Sequence, residues 1–148
     1  MNLLLICTIG DSRVALDAAR VESVIELDAL SPVPRAPTHL AGLSALRSRV
    51  LTVVDCRRAL DLGATDFAAD RIHEAAVVEV EGHHYALSVD SVEDVVEGSS
   101  DPTPVRANMG AGWERVALGM VDTPEGPLLL VDIDAIIAGP DAVETRAA

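Results

Sequence analysis

Short runs of Val, Leu, Ile and Ala, broken every few residues by Gly, Pro, Asp or Ser, set the rhythm of this chain. Runs of that length, without a sustained helical period, predict strands rather than long helices. Residues 3–9 form the first strand, closed by Gly10-Asp11. Residues 14–16 give a second, Asp17-Ala18-Ala19-Arg20 a turn or single helical turn, and residues 21–27 a third. The loop Ser31-Pro32-Val33-Pro34-Arg35-Ala36-Pro37 cannot join a central strand, because Pro has no N–H to give to a ladder.

The stretch 42–62, GLSALRSRVLTVVDCRRALDL, predicts two more strands and a helix. Its β-branched run Val50-Leu51-Thr52-Val53-Val54 is a buried strand, and Asp55 suits a helix N-cap. Leu60 and Leu62 are expected to extend that helix and Gly63 to end it. Residues 63–70 read as a connecting loop, 75–80 and 84–89 as a hairpin around Glu81-Gly82, and 92–96 as a further strand. Residues 99–112 read as a polar loop, and 116–121 with 127–131 as a hairpin around Pro124-Glu125-Gly126. Asp132 caps a short helix over 133–138, stopped by Gly139-Pro140, and 139–148 form a flexible tail.

The pattern repeats. Residues 14–26 can be laid over 85–97 with coincidences at Ala15/Ala86, Leu16/Leu87, Val21/Val92, Glu22/Glu93, Val24/Val95 and Glu26/Glu97. Gly42 precedes Asp55 by thirteen residues, as Gly119 precedes Asp132, and both aspartates close an apolar run and open a short helix. Two such matches in one order suggest half-repeats over about 14–62 and 75–138, each a small sheet that must curl to hide its edges. The expected architecture is mainly β: two small β-barrels packed into a single domain, 1–148.

A chain of 148 residues, 49% hydrophobic, buries a real core, and with aromatics at only 2% that core is aliphatic. The net charge is −13 and all eleven cations are Arg. Such a surface repels phosphate backbones, which argues against nucleic acid as a partner. No apolar run reaches the ~20 residues needed to span a bilayer, and the N-terminus lacks the basic region of a signal peptide, so no membrane insertion is expected. Cys7 and Cys56, isolated and in apolar surroundings, read as buried thiols of a reducing compartment, the cytoplasm.

Candidate chemistry is sparse. Asp55 and Asp132 could be phospho-acceptors or catalytic carboxylates, but that would need long helices flanking a parallel sheet, and structural N-caps fit better. Adjacent His83 and His84 in a strand point to opposite faces and cannot share a metal; His39 and His73 have no ligand-spaced partner, so surface or hairpin roles are expected and no metal or cofactor. The sequence contains no nucleophile elbow, Gly-rich phosphate loop or zinc-protease helix, so no catalytic residue is assigned. Trp113, in a loop after Gly112, is expected to cap the core. Arg47 and Arg49, bracketing a tight turn, admit two readings: a solvated pair worth little to stability, or a recognition point.

The run from Leu40 to Asp55 resembles the signature "GxxNLRGxxxPVxDL" of the CheW-like chemotaxis adaptors. Val21-Glu22-Ser23-Val24 is similar to the family's "VxE[IV]", and Leu87-Ser88-Val89-Asp90-Ser91-Val92-Glu93-Asp94-Val95 to its "LVDxVxxV". The resemblance implies two five-stranded β-barrels around a shared core and a non-catalytic scaffold. It implies as partners the cytoplasmic tips of methyl-accepting chemoreceptors and the regulatory domain of a CheA-type histidine kinase. It places Val21, Ser23, Val24 and Arg47 in a receptor-facing groove, with Arg49 beside them. This chain departs from the pattern at Ser23, Ala45, Ser48 and Thr52, where the family has Glu, Asn, Gly and Pro. The departures imply that one contact, that with the kinase, is altered or lost, and Ser48 in place of Gly disfavours positive φ at the turn. The rivals are a small-ligand-binding or catalytic β-barrel, and a regulator docking on a kinase or on itself.

Overall fold

The hydrophobic rhythm resolves into ten strands. A computed structural model describes residues 2–27, 30–67, 72–105 and 109–140, so the expected tail beyond Pro140 lies outside the described residues. The strands are β1 (Asn2–Ile9), β2 (Ser12–Asp17), β3 (Val21–Glu26), β4 (Leu40–Leu46), β5 (Arg49–Asp55), β6 (Glu74–Val80), β7 (His83–Val89), β8 (Ser91–Gly98), β9 (Ala117–Thr123) and β10 (Gly126–Val131). A 3-10 turn (Ala18–Arg20) and the helices α1 (Cys56–Ala59), α2 (Ala111–Val116) and α3 (Ile133–Ala138) complete the set.

One sheet runs β8-β1-β2-β10-β9 and the other β3-β6-β7-β5-β4. The first therefore takes strands from both ends of the chain and the second the five consecutive strands between them; neither sheet is one half of the sequence. Residue pairings correspond between them. Leu5 faces Leu16 in one hairpin and Ala76 faces Leu87 in the other. The parallel pairs Leu129–Val14 and Thr52–Tyr85 also match, as do bulges opening between Leu5 and Cys7 and between Val21 and Ser23.

The five-stranded sheets are as expected, but they are not closed barrels. Among the described residues the outer strands form no ladder with each other; each curled sheet is instead tacked at one point. Ser31, beyond β3, exchanges two 2.8 Å backbone hydrogen bonds with Leu43 of β4. Thr103, beyond β8, does the same with Met120 of β9 at 2.8 and 2.7 Å. The residue before each contact is a glycine at positive φ, Gly42 (151°) and Gly119 (137°). A Cβ would lie 2.5 Å from the Ser31 carbonyl oxygen at the first and 2.7 Å from that of Thr103 at the second. The tack requires glycine at both places.

Because each sheet is covered on both faces, successive residues of β1 are buried on opposite sides. Leu4 and Ile6 fill the curl of the first sheet with Ala15, Val121 and Leu128, while Leu5 and Cys7 face the core shared by the two sheets. Leu51, Val53, Ala75, Val77 and Ala86 fill the second curl. Each Leu, Ile or Val among them is worth about 1.5–3 kcal/mol on full burial, so aliphatic packing carries the fold. Cys7 and Cys56 belong to the shared core; burial pushes the Cys7 thiol up to about 12 and Cys56 well above its ordinary value.

The helices sit where the sheets meet. Asp55 accepts from the Arg57 N–H (3.1 Å) and from Thr65, and Asp132 from the N–H groups of Asp134 (3.0 Å) and Ala135 (3.4 Å), so both are N-caps. Leu60 and Leu62 do not extend α1. Asp61 turns left-handed (φ 57°), and the Asp61 and Leu62 N–H groups bond back to Arg58 and Arg57, closing a Schellman motif before Gly63 is reached. Trp113 lies not in a loop but on α2, where it packs on the shared core as expected. Gly112 lets α2 come this close, since a Cβ there would run into the Leu60 carbonyl. Arg115 of α2 donates to the carbonyls of Ala135 (2.6 Å) and Ala59, joining α3 to α1. Arg57 makes a paired contact with Asp90 (2.9 and 2.9 Å). Burial pushes the Asp90 carboxyl up, but the Arg57 hydrogen bonds and the Asp11 N–H outweigh it and hold it below the ordinary aspartate range.

Candidate partner-docking site

The turn Arg47-Ser48 joins β4 to β5 at the mouth of the second curled sheet, opposite the free edge of β3. Between them lies a groove of about 420 Å³ lined by Glu22, Ser23, Leu46, Arg47, Arg49, Leu51 and Val77, with Ser48 in the turn. Leu51 and Val77 are buried members of the second curl, so the groove has an apolar floor under a charged rim.

The two arginines of that rim differ. Arg49 is tied down: one Nη donates to His84 Nε2 (2.9 Å) and to Glu22 Oε2 (3.4 Å). Arg47 is exposed, sits at φ 56° and makes no hydrogen bond or ion pair among the described residues. The positive φ of the turn thus falls on Arg47 rather than on Ser48. Holding a non-glycine residue there costs of order 1 kcal/mol and sets the direction in which Cβ leaves the backbone.

Of the residues expected at the site, Ser23, Arg47 and Arg49 meet at the groove. Val24 is 43% exposed on β3 beside it without lining it, and Val21 is half-buried against the shared core. Sequence reasoning missed Glu22 and Val77 on the groove and His84 beside Arg49, which arrive from three different strands; only the burial expected of the run 50–54, which contains Leu51, hinted at the floor. The histidines divide differently from expectation. His83 and His84 are in the β6–β7 hairpin, but His39 and His73 are buried. His39 Nε2–H donates to the Ile137 carbonyl (2.8 Å), and His73 packs at 5.3 Å from Phe67.

A second cavity, about 410 Å³, is lined by Val14, Val105, Met109, Trp113, Met120 and Leu129, with Arg13 at it already held by Glu93 and Glu125. It lacks the convergent polar groups a ligand or catalytic pocket needs. No helix among the described residues is long and apolar enough to cross a membrane.

Comparison with known proteins gives one answer. The family model described as the CheW-like domain matches residues 3–140. The chain is 28% identical over 129 residues to the chemotaxis protein CheW of Thermotoga maritima, covering 87% of this chain and 83% of that one. It is 27% identical over 132 residues to the CheW of Rhizobium meliloti, covering 86% and 82%. In fold it is similar to the crystal structure of the scaffolding protein TtCheW from Thermoanaerobacter tengcongensis, with a TM-score of 0.71 at 18% identity and 89% of each chain covered. With the family model matched over residues 3–140 and the fold shared, this chain belongs to the CheW-like domain family of non-catalytic chemotaxis scaffolds.

Proposed function

We propose that this chain is a cytoplasmic adaptor that links the tips of chemoreceptors to a CheA-type histidine kinase, receiving the receptor in the groove between β3 and the β4–β5 turn. The observation that supports this reading is the unpaired Arg47 held over an apolar floor at the turn. A free guanidinium beside buried Leu51 and Val77 gives a partner one polar anchor and one apolar contact, the combination that concentrates binding energy at interfaces. Ser23 removes a carboxylate from the same rim, and exposed Ala45 and Ser48 and half-buried Thr52 change the faces around it. On this reading those substitutions alter or remove the contact with one partner, the kinase.

Pull-down and titration calorimetry against receptor-tip peptides and a kinase regulatory domain test it. Arg47→Glu should abolish receptor binding without shifting the melting temperature; unchanged affinity removes Arg47 from the site. Kinase binding as tight as that of a relative carrying the full signature refutes the altered contact.

A further inference from the structure

Outside the groove's floor, one cluster has the chemistry of a ligand site. Glu22 of β3, Glu79 of β6 and His84 of β7 lie on three neighbouring strands, and their ligand atoms are all within 4.8 Å of one another. His84 Nε2 is 3.4 Å from Glu22 Oε2 and 3.6 Å from Glu79 Oε2. Tetrahedral zinc with bonds of about 2.0–2.2 Å sets neighbouring ligand atoms roughly 3.3–3.6 Å apart. Two edges of that tetrahedron are present, and rotation of one exposed carboxylate completes the third. Imidazole with carboxylates is a donor set that suits zinc.

Two further observations mark the place as a cation position. Arg49 Nη1 stands 2.9 Å from His84 Nε2. A guanidinium only donates, so His84 turns an unprotonated Nε2 lone pair toward it, in the form a metal requires. In the other sheet the matching place, by the correspondence of pairings, is filled by Arg13 between Glu93 (2.8 Å) and Glu125 (3.4 Å). There a fixed side-chain cation completes the site; here His84 stands at that place and Arg49 reaches in from the side.

We propose that Glu22, Glu79 and His84 bind a divalent transition ion, zinc by its donor chemistry, which displaces Arg49. The ion would take the place of one Arg49 nitrogen and release that guanidinium toward Arg47; the consequence for docking rests on the adaptor reading above, but the metal site does not. Zinc chloride is titrated into the full chain in metal-free, phosphate-free buffer and followed by calorimetry, with the fold of each variant checked by its melting curve. One saturable site is expected, weakened at least about tenfold in His84→Ala and Glu79→Gln and unchanged in His83→Ala. Arg49→Gln should tighten it. Absence of a saturable site, equal affinity in His84→Ala, or loss in His83→Ala overturns the assignment, and unchanged affinity in Arg49→Gln overturns the displacement. No partner is present in this titration, so its failure leaves the adaptor reading standing.

Discussion

Replacing Arg115 tests the joint that holds α1 and α3 against each other. Its guanidinium, half-buried on α2, donates to the Ala135 carbonyl at 2.6 Å and to the Ala59 carbonyl. Ala59 ends α1, so its carbonyl has no partner within the helix, while the Ala135 carbonyl also accepts from the Gly139 N–H at 3.2 Å. Burial works against the charge and lowers the Arg115 pKa from its ordinary value, so the carbonyls must offset a desolvation cost. Hydrogen bonds from a charged donor contribute about 1.5–3 kcal/mol each, and two minus that cost leaves a loss of about 2–3 kcal/mol in Arg115→Met. For a chain of this size each kcal/mol shifts the melting temperature by about 2–4 °C, so a drop of roughly 4–12 °C is expected. Urea denaturation followed by circular dichroism gives the free energy, and the fluorescence of Trp113, on the same helix, reports the local environment. Arg115→Lys keeps the charge but not the fork and should fall between the two. Arg58→Met, at an exposed arginine with no partner among the described residues, controls for the loss of one positive charge in a strongly acidic chain. If Arg115→Met costs no more than Arg58→Met, the guanidinium does not hold the helices together.

Asp90 ties the pH dependence of stability to Arg57. Its carboxyl is held below the ordinary value of 3.8, so its contribution is complete above that pH and is lost as pH falls through the lower folded value. The gap in unfolding free energy between the native chain and Asp90→Asn should therefore close in acid, and a constant gap refutes the linkage. Cys7, pushed up to about 12, and Cys56, pushed well above its ordinary value, should not react with an aromatic disulfide reagent at mildly alkaline pH until the chain unfolds. Rapid labelling of the native protein would contradict the shared core drawn here.

The strands were legible because their signals are local. Gly10-Asp11 and Glu81-Gly82 could be read as hairpin turns, and their φ values of 57°, 69°, 50° and 83° are the left-handed pairs such turns need. Asp55 and Asp132 could be read as caps because the cap contact spans two or three residues. The pairing of β2 with β10, and of β5 with β7, was not legible. Those parallel contacts join distant segments, and nothing in Val14 or Leu129 alone names its neighbour. The same limit hid α2, whose glycines, Gly110 at its start and Gly112 in its first turn, look like loop residues until the Leu60 carbonyl explains Gly112. It also hid part of the groove wall: Arg47 and Ser23 stood out by resemblance, but Glu22 and Val77 join them only through the order β3-β6-β7-β5-β4, which also sets His84 beside Arg49.

On the proposed reading, that order also explains why one sheet mouth, and not the other, is offered to a partner. At the first sheet Arg13 is held by Glu93 and by Glu125 of the β9–β10 turn, so cation and carboxylates satisfy one another. Such exposed pairs add little stability, but they leave no unspent charge for a partner to meet. At the second sheet the matching turn carries Arg47 and Ser48 where the first carries Pro124 and Glu125, and Arg49 engages Glu22 and His84 instead. Three charged or polar groups are thus consumed by one another while Arg47 makes no ion pair among the described residues. A fold that repeats its pairing twice but neutralises only one of its two mouths keeps, in the other, a cation for the proposed partner to meet.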